Sequence, residues 1–554
     1  MGNMRVGVLL LNTVGIACVA MLAQETNPAA NAHPDPAVML SDAQSLYRKG
    51  SLDQALASYN EVLKADAASG DAYAGIVRCY LKQDKVHEAD DAVRKGLQAS
   101  PGHADLKVAE GELLYRQGEF PEAGALFDEV IGMEPPNARA YLGAARVAAA
   151  SALYAREHIL VLRAHQIDPS DPDIKKIWMQ TLSTAERIKS LEEYLGQTTN
   201  DDADTRRTLK ERLDFLKASQ FAQSDRCRLI SDVTSTETTL IALQSRRGNV
   251  QGTGLQVTIN GQDSRLLLDT GASGILINSK LASQAGLKPV ADVRISGVGD
   301  KPDLQAHIEY ASSVRIGKLE FQNCPVQVVD RLTAADDGII GADVLSQFLI
   351  EMDFPKSTLR LSELPPRPGE TPRKAALKTS EEDPTAEPEA KPSAVPGAAS
   401  ASKAWTSKYF DRYIAPEMHS YVQAFRIGHM LLVPTRINEG PEKLFLLDTG
   451  SFDNTITPDA AKEVTKVHRA PLEVHGVNGD VKKVYVANQV VLDFGHLRQT
   501  VPNMVAFDMS RVSHHAGTEI SGTLGMVMLR LLKVRLDYRD ALADFQYVPP
   551  RPRH

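Results

Sequence analysis

Small and large apolar positions recur every 34 residues near the start of the chain. A small residue is followed four positions later by a larger one, so both lie on the same helix face. The small side chain lets two helices approach closely, and the larger one fills the groove beside it. The small positions are Ala55, Ala89 and Ala123, the larger ones Tyr59, Val93, Phe127 and Val161, and the units end near Ala67, Pro101, Pro135 and Pro169. The pattern predicts four helix-turn-helix units, since proline ends a helix.

In period and residue types, residues 38–170 resemble the tetratricopeptide repeat. The fourth unit departs from the pattern because Glu157 stands where alanine is expected. Residues 171–223 keep a helical pattern without this period and are predicted to be capping helices. Repeats of this kind present a concave groove that binds extended peptides, so a protein partner or a substrate could bind there. A spacer without a ligand fits the sequence equally well.

Two strand-rich regions, residues 226–364 and 405–549, repeat each other in order and spacing. In each, a hairpin leads into an apolar strand that ends in Asp-Thr-Gly, with the aspartate eight residues after the turn glycine. A second glycine-bearing hairpin follows, its first glycine 28 residues past the aspartate, and then an apolar segment that ends in glycine. We interpret Asp353 and Asp537, which lie 12 residues further on, as turn caps. Two Asp-Thr-Gly sequences in matching frames indicate a duplicated domain.

This succession of motifs resembles the retropepsin-like aspartic peptidases, and bacterial members most. The resemblance implies two closed β lobes about a pseudo-two-fold axis, each giving one catalytic aspartate, Asp269 or Asp448, to a shared site. It also implies hydrolysis of peptide bonds by water, with no metal and no cofactor. The predicted fold class is therefore multidomain α+β, a helical solenoid followed by two β lobes. The residues that the resemblance assigns to support the dyad are Thr270, Gly271, Ala272, Thr449, Gly450 and Ser451, and those of the flaps are Gly297, Val298, Gly299, Gly476, Val477 and Gly479.

Two carboxyl groups held close together share one proton and titrate as a pair. The lobes differ at the residue after Asp-Thr-Gly, which is Ala272 in the first lobe and Ser451 in the second. A serine hydroxyl there would donate to Asp448, so we hypothesise that Asp448 is the ionised member. The sequence leaves open whether the dyad forms within one chain or in a homodimer. It also leaves an alternative, a catalytically inert exported adaptor that only binds protein partners.

Composition and charge bear on location and partners. The net charge of -8, without a basic stripe, gives no reason to expect a nucleic-acid partner. Residues 1–23 combine a short positive start, an apolar run and a small-residue exit, which predicts an export signal and a periplasmic or secreted protein. The alternatives are an uncleaved membrane anchor or lipidation at Cys18. Residues 365–404, rich in proline and alanine, are predicted to be a flexible or extended linker.

The remaining cysteines and the histidines leave little chemistry to assign. A Cys227–Cys324 bridge fits an exported protein, and three unpaired thiols, including Cys79, fit as well. We interpret His475, His514 and His515 as surface residues, because they lack partners at metal-ligand spacing.

Overall fold

The structure is a computed structural model that describes residues 35–222, 227–244, 250–330, 332, 337–370 and 410–549. The predicted export signal, Cys18 and most of the predicted linker lie outside these residues. Within the described ranges, no helix is long and apolar enough to cross a lipid bilayer.

Residues 36–167 form the predicted helix pairs, and the periodic positions are their core. Ala55, Ala89 and Ala123 are fully buried, as the close approach of two helices requires. The pairs are α1 (Pro36–Arg48) with α2 (Leu52–Ala65), α3 (Gly70–Lys82) with α4 (Val86–Ala99), α5 (Ala104–Gln117) with α6 (Phe120–Ile131), and α7 (Ala138–Ala150) with α8 (Tyr154–Ile167). They are followed by α9 (Pro172–Trp178), α10 (Thr184–Leu195) and α11 (Ala203–Ala222).

A network of buried charges joins the first helices of the units to α9. Arg78 of α3 binds Glu112 of α5 at 2.8 Å, and Arg139 of α7 binds the same Glu112 at 2.9 Å. Arg139 also binds Asp173 of α9 at 3.0 Å, and the Tyr47 hydroxyl of α1 lies 3.5 Å from Asp173. Charges this deeply buried need such partners. The network therefore brings α1 and α9 together from opposite ends of the repeat array.

The first lobe is built around an eleven-stranded sheet in which the strand order is β1-β10-β9-β4-β5-β12-β6-β11-β8-β7, with β3 on β4. The lobe comprises β1 (Arg228–Leu229), β2 (Thr236–Thr239), β3 (Ile241–Gln244), β4 (Val250–Ile259), β5 (Gln262–Asp269), β6 (Ile275–Asn278), α12 (Ser279–Gln284), β7 (Pro289–Ile295), β8 (Leu304–Ala311), β9 (Val314–Ile316), β10 (Leu319–Gln322), β11 (Cys324–Val329), β12 (Gly338–Gly341), β13 (Phe348–Asp353) and β14 (Thr358–Glu363).

The second lobe repeats this plan in an eight-stranded sheet, β16-β17-β18-β25-β19-β24-β23-β20, in which β17 also pairs with β23. The lobe comprises β15 (Val422–Gln423), β16 (Phe425–Ile427), β17 (Met430–Ile437), β18 (Glu442–Leu447), β19 (Thr455–Ile456), α13 (Pro458–Val464), β20 (Val467–Arg469), β21 (Val474–Gly476), β22 (Gly479–Val481), β23 (Val484–Phe494), β24 (Leu497–Phe507), α14 (Ser510–Ala516), β25 (Gly522–Leu524), α15 (Met526–Leu529), β26 (Leu532–Asp537) and β27 (Leu542–Tyr547). The pairing of β17 with β23 curls this sheet toward a barrel.

A six-stranded sheet joins the two lobes. Its order is β15-β27-β26-β13-β14-β2, and the lobes meet where β13 pairs antiparallel with β26. Both of these strands end in an aspartate that caps the next turn, as predicted. Asp353 accepts the amide of Lys356 at 3.1 Å, and Asp537 accepts the amide of Asp540 at 3.1 Å. The lobes are thus connected by continuous main-chain hydrogen bonding.

The helical repeats pack directly on the second lobe. Phe120 of α6 is fully buried, and its ring meets Phe425 of β16 edge-on with the centroids 4.8 Å apart. Thr518 donates its hydroxyl to the carbonyl of Tyr115 at 2.8 Å. The repeats and the lobe therefore share an apolar interface that is sealed by hydrogen bonds.

The cysteine question left open by the sequence has a definite outcome. Cys227 and Cys324 form a disulfide, which ties the start of the first lobe to β11. Cys79 is a free, buried thiol. A disulfide of this kind is typical of proteins that fold in an oxidising compartment.

Candidate active site

Each Asp-Thr-Gly turn lies at the end of a buried strand, beside the later glycine motif of its lobe. β5 runs parallel to β12 with Asp269 opposite Gly341, and β18 runs parallel to β25. A side chain at Gly341 would overlap the carbonyl of Ala272, and one at Gly525 would overlap the carbonyl of Asp453. These glycines are therefore required by the close approach of main chain behind each aspartate turn.

The two threonines after the aspartates interlock across the boundary between the lobes. Thr270 donates its hydroxyl to the carbonyl of Leu447 at 2.6 Å and accepts the amide of Thr449 at 3.0 Å. Thr449 donates to the carbonyl of Leu268 at 2.7 Å and accepts the amide of Thr270 at 3.0 Å. These four buried hydrogen bonds fix the two turns relative to each other.

The structure brings the carboxyl groups of Asp269 and Asp448 together, and both lie against Gly271. Each also accepts the amide two residues further on, Gly271 to Asp269 at 2.8 Å and Gly450 to Asp448 at 2.9 Å. A β-carbon at Gly271 would lie 3.2 Å from Oδ1 of Asp448 and 3.3 Å from Oδ1 of Asp269. A β-carbon there would be tight, and one at Gly450 would overlap the carboxyl group of Asp269, so glycine is required at Gly450.

The electrostatics of the pair are those of two acids that share a proton. Burial raises the pKa of both carboxyl groups, and the charge of Asp269 raises the pKa of Asp448 further, well above its ordinary value. The rise in the pKa of Asp269 is opposed by the amide of Gly271, by the hydrogen bond from Asp448 and by the charge of His429. The two carboxyl groups therefore hold one proton between them, because like charges at this distance cannot both persist.

The hypothesis that the Ser451 hydroxyl favours a charged Asp448 is wrong. The hydroxyl donates to the carbonyl of Asp453 at 2.9 Å, which satisfies it within its own turn. It is the backbone amide of Ser451 that donates to Asp448, also at 2.9 Å. Since every residue except proline has this amide, the serine side chain gives the second lobe no special role.

The glycine-bearing hairpins meet at their tips. One tip is the loop between β7 and β8, and the other is the turn between β21 and β22. The amide of Asn478 donates to the carbonyl of Val298 at 2.9 Å, and the amide of Lys301 donates to the carbonyl of Asn478 at 2.9 Å. A side chain at Gly476 would overlap the carbonyl of Val298. Among the predicted flap glycines, Gly299 and Gly479 have φ of 134° and 84°, which favour glycine.

Each tip also reaches the opposite lobe. Val477 of the second lobe packs against a first-lobe apolar cluster that includes Leu267 of β5, the strand that leads into the Asp269 turn. Val298 of the first lobe packs against a second-lobe cluster that includes Leu446, close to the Asp448 turn. Each tip thus packs on the lobe opposite its own, against the strand that leads into that lobe's aspartate turn.

Two residues that contribute to the site were not predicted. Asn478 is fully buried and donates its side-chain amide to the carbonyl of Pro302 at 2.9 Å, which joins the two tips. Its position between Val477 and Gly479, two predicted flap residues, could have indicated that Asn478 belongs to the same turn. His429, just before β17, has its Nε2 atom 3.1 Å from the carbonyl of Gly271. This contact joins residues of different lobes, so no sequence motif around His429 predicts it.

Two helices hold the first-lobe hairpin from outside. Glu211 of α11 binds Arg294 of β7 at 2.8 Å. Arg511 of α14 donates to the carbonyl of Lys301 at 2.7 Å and to Asp303 at 2.5 Å. The helical region therefore contacts the hairpin directly.

The three predicted surface histidines are exposed or half-buried and face carboxylates. His475 lies 2.6 Å from Asp480, and His514 lies 2.6 Å from Asp84 of the repeats. His515 lies 3.7 Å from Asp204 at the start of α11.

Comparison with known proteins agrees with this division of the chain. Residues 255–344 and 433–527 match the family model described as aspartyl protease. Residues 46–110 and 108–172 match two models described as tetratricopeptide repeat. A search of curated proteins gave no match.

Solved structures resemble separate parts of the chain. A retropepsin-like aspartic protease from Rickettsia conorii is 24% identical, covers 24% of this chain and 97% of its own, and has a TM-score of 0.18. The tetratricopeptide protein TTC0263 of Thermus thermophilus is 17% identical, with coverage of 33% and 99% and a TM-score of 0.26. Pseudomonas aeruginosa pilF is 16% identical, with coverage of 34% and 84% and a TM-score of 0.24.

The C-terminal lobes thus form a duplicated domain of the retropepsin-like aspartyl protease type. The chain as a whole joins that domain to N-terminal tetratricopeptide repeats.

Proposed function

We propose that this protein is an aspartic endopeptidase in which Asp269 and Asp448 of one chain form the catalytic dyad. The observation that carries the proposal is the pair of carboxyl groups, which lie side by side at Gly271 where the interlocked threonines join the two lobes. Strongly shifted pKa values in a coupled pair are a mark of acid-base catalysis. The glycine-bearing hairpins would cover an extended peptide.

In the proposed reaction the nucleophile is a water molecule between the two carboxyl groups. The carboxylate takes a proton from the water as its oxygen attacks the peptide carbonyl carbon, and the carboxylic acid donates its proton to the carbonyl oxygen. In the second step the acid formed in the first step gives its proton to the amine nitrogen, the other carboxylate takes a proton from a hydroxyl of the tetrahedral intermediate, and the C–N bond breaks, so the pair again holds one proton. The reaction requires no group beyond the two acids and water.

The repeats have a proposed role in binding protein, as substrate or partner. The buried charge network joins Arg139 of α7 to Asp173 of α9, so a charged ligand that bound either side chain would have to break this ion pair. We place the protein outside the cytoplasm, in the periplasm or secreted, and the Cys227–Cys324 disulfide supports this location.

Cleavage of casein and of a peptide library at acid pH tests the proposal. The full-length protein is expected to cleave, and pepstatin is expected to block it. Asp269→Asn and Asp448→Asn should each lower kcat/KM by at least about 1,000-fold, because neither can exchange the shared proton. Asp459→Asn is the matched control, since Asp459 is exposed and lies outside the site.

Equal traces from wild type and both dyad variants would overturn the peptidase assignment. The inert adaptor would then be the better account, with the hairpins and the repeats serving only to bind protein.

A further inference from the structure

His429 brings a titratable side chain from the second lobe to the aspartate turn of the first. Its Nε2 atom lies 3.1 Å from the carbonyl oxygen of Gly271. The amide of the same Gly271 donates to Oδ1 of Asp269 at 2.8 Å. The imidazole and the carboxyl group therefore bind the two main-chain polar groups of one glycine.

This contact decides which ring nitrogen carries a proton. A carbonyl oxygen can only accept, so Nε2 of His429 donates in both charge states of the ring. Protonation of the ring then occurs at Nδ1 and leaves the contact with Gly271 in place. The ring gains a positive charge without moving from the Asp269 turn.

We propose that His429 is a positioning residue that selects Asp269 as the ionised member of the dyad. The proposal rests on the peptidase function proposed above. The ring lies on the turn of Asp269 rather than on that of Asp448, and a positive charge on it favours a carboxylate at the nearer turn. Asp269 then takes the proton of the attacking water, and Asp448 donates to the peptide carbonyl.

The balance of charges agrees with this assignment. Burial raises the pKa of Asp269, while the His429 charge and the hydrogen bond from Asp448 act to lower it. Burial and the charge of Asp269 both raise the pKa of Asp448. The assignment reverses the one that Ser451 suggested.

The other charged groups on the surrounding elements are held by their own partners. Asp343, just after β12, accepts the amide of Gly274 at 2.9 Å. Arg426 of β16 donates to the carbonyl of Tyr538 at 2.7 Å and stays charged throughout the acid range. The hydroxyl of Tyr538 is buried and stays protonated there, since burial raises its pKa.

The first test is the pH dependence of kcat/KM for a peptide substrate. His429→Gln keeps an N–H donor for Gly271 but removes the charge, so the pKa of Asp269 should rise. The acid limb, where the carboxylate is lost by protonation, should move up by about one pH unit. His429→Lys, which restores a cation, should move the limb by less, and the exposed His496→Gln should not move it. An acid limb shared by wild type and His429→Gln would overturn the proposal.

A second test does not depend on peptide cleavage. The thermal unfolding midpoint is measured at about pH 5, where an imidazole is charged, for His429→Gln in three backgrounds: wild type, Asp269→Asn and Asp448→Asn. The substitution should lower the midpoint more in Asp448→Asn, which keeps the Asp269 carboxyl, than in Asp269→Asn. Equal losses would refute the pairing of His429 with Asp269, whether or not the protein is a peptidase. Cleavage with an unmoved acid limb would refute the His429 role alone.

Discussion

The residues of the Asp-Thr-Gly turns were predictable because the tripeptide occurs twice in matching frames, although the contacts that require its threonine and glycine cross between the lobes. Glycine is needed where two carboxyl groups crowd the main chain, and threonine is needed where a hydroxyl must both donate and accept. The Ser451 hypothesis failed because a hydroxyl has several partners within its own turn, and the sequence does not say which one it binds. His429 escaped prediction because its partner, Gly271, is distant in sequence.

Removal of one interlocking hydroxyl should weaken the junction of the lobes. Thr270→Ala leaves the buried carbonyl of Leu447 and the buried amide of Thr449 without their partners. We expect a loss of about 2 kcal/mol, or roughly 5 °C in the unfolding midpoint of the lobes, by scanning calorimetry. Thr270→Ser keeps the hydroxyl and should lose less than half as much. Equal losses would mean that the methyl group matters rather than the hydrogen bonds.

At the scale of elements, periodicity predicted the helix pairs well. The residues that recur every 34 positions pack within one helix pair, so their burial does not depend on how the pairs are arranged relative to each other. The glycine-bearing hairpins were also predicted, but their mutual contact through Asn478 was not. A hairpin sequence specifies its own turn. The direction in which that turn points is determined by the rest of the fold.

Glu157 is the element-scale exception that can be tested. It occupies the alanine position of the fourth unit, on α8, where burial raises its pKa to about 7. The folded state therefore holds the proton more tightly than the unfolded state, and stability is lost as the pH rises through 7. Glu157→Ala should raise the free energy of unfolding of the repeats by roughly 1–2 kcal/mol at pH 8 and by much less at pH 5. Thermal unfolding at the two pH values measures the difference.

The control for that measurement is Glu193→Ala on α10, where the side chain is exposed. It should have the same small effect at both pH values. A gain from Glu157→Ala that did not depend on pH would assign the effect to helix propensity instead.

At the scale of the whole molecule, the start of the predicted linker lies beside the chain that follows it. Arg367, within residues predicted to be flexible or extended, is buried and pairs with the fully buried Asp540. Its guanidinium lies 5.0 Å from the ring centroid of Phe410, just after the predicted linker, and the amide of Tyr413 donates to Asp540 at 3.0 Å. One carboxylate therefore holds the chain on both sides of residues 371–409.

Replacement of residues 371–409 by a Gly/Ser loop of about ten residues should therefore be tolerated. The unfolding midpoint is expected to change by no more than about 2 °C, because loop length alone has a small entropic effect. The same replacement combined with Asp540→Asn should lower the midpoint clearly, since Arg367 then loses its buried partner. A short-loop protein that fails to fold would show that the linker itself stabilises the lobes.

The sequence by itself determined the helix pairs, the duplicated β lobes and the two Asp-Thr-Gly turns. Each of these depends on periodicity or on the steric needs of a single turn, which adjacent residues encode. The tertiary structure alone decided that Asp269 pairs with Asp448 of the same chain rather than in a homodimer. It also decided how the hairpin tips meet and that His429 contacts Gly271. These depend on where two lobes and a helical domain meet, and that is fixed by packing and hydrogen bonds between residues far apart in the chain.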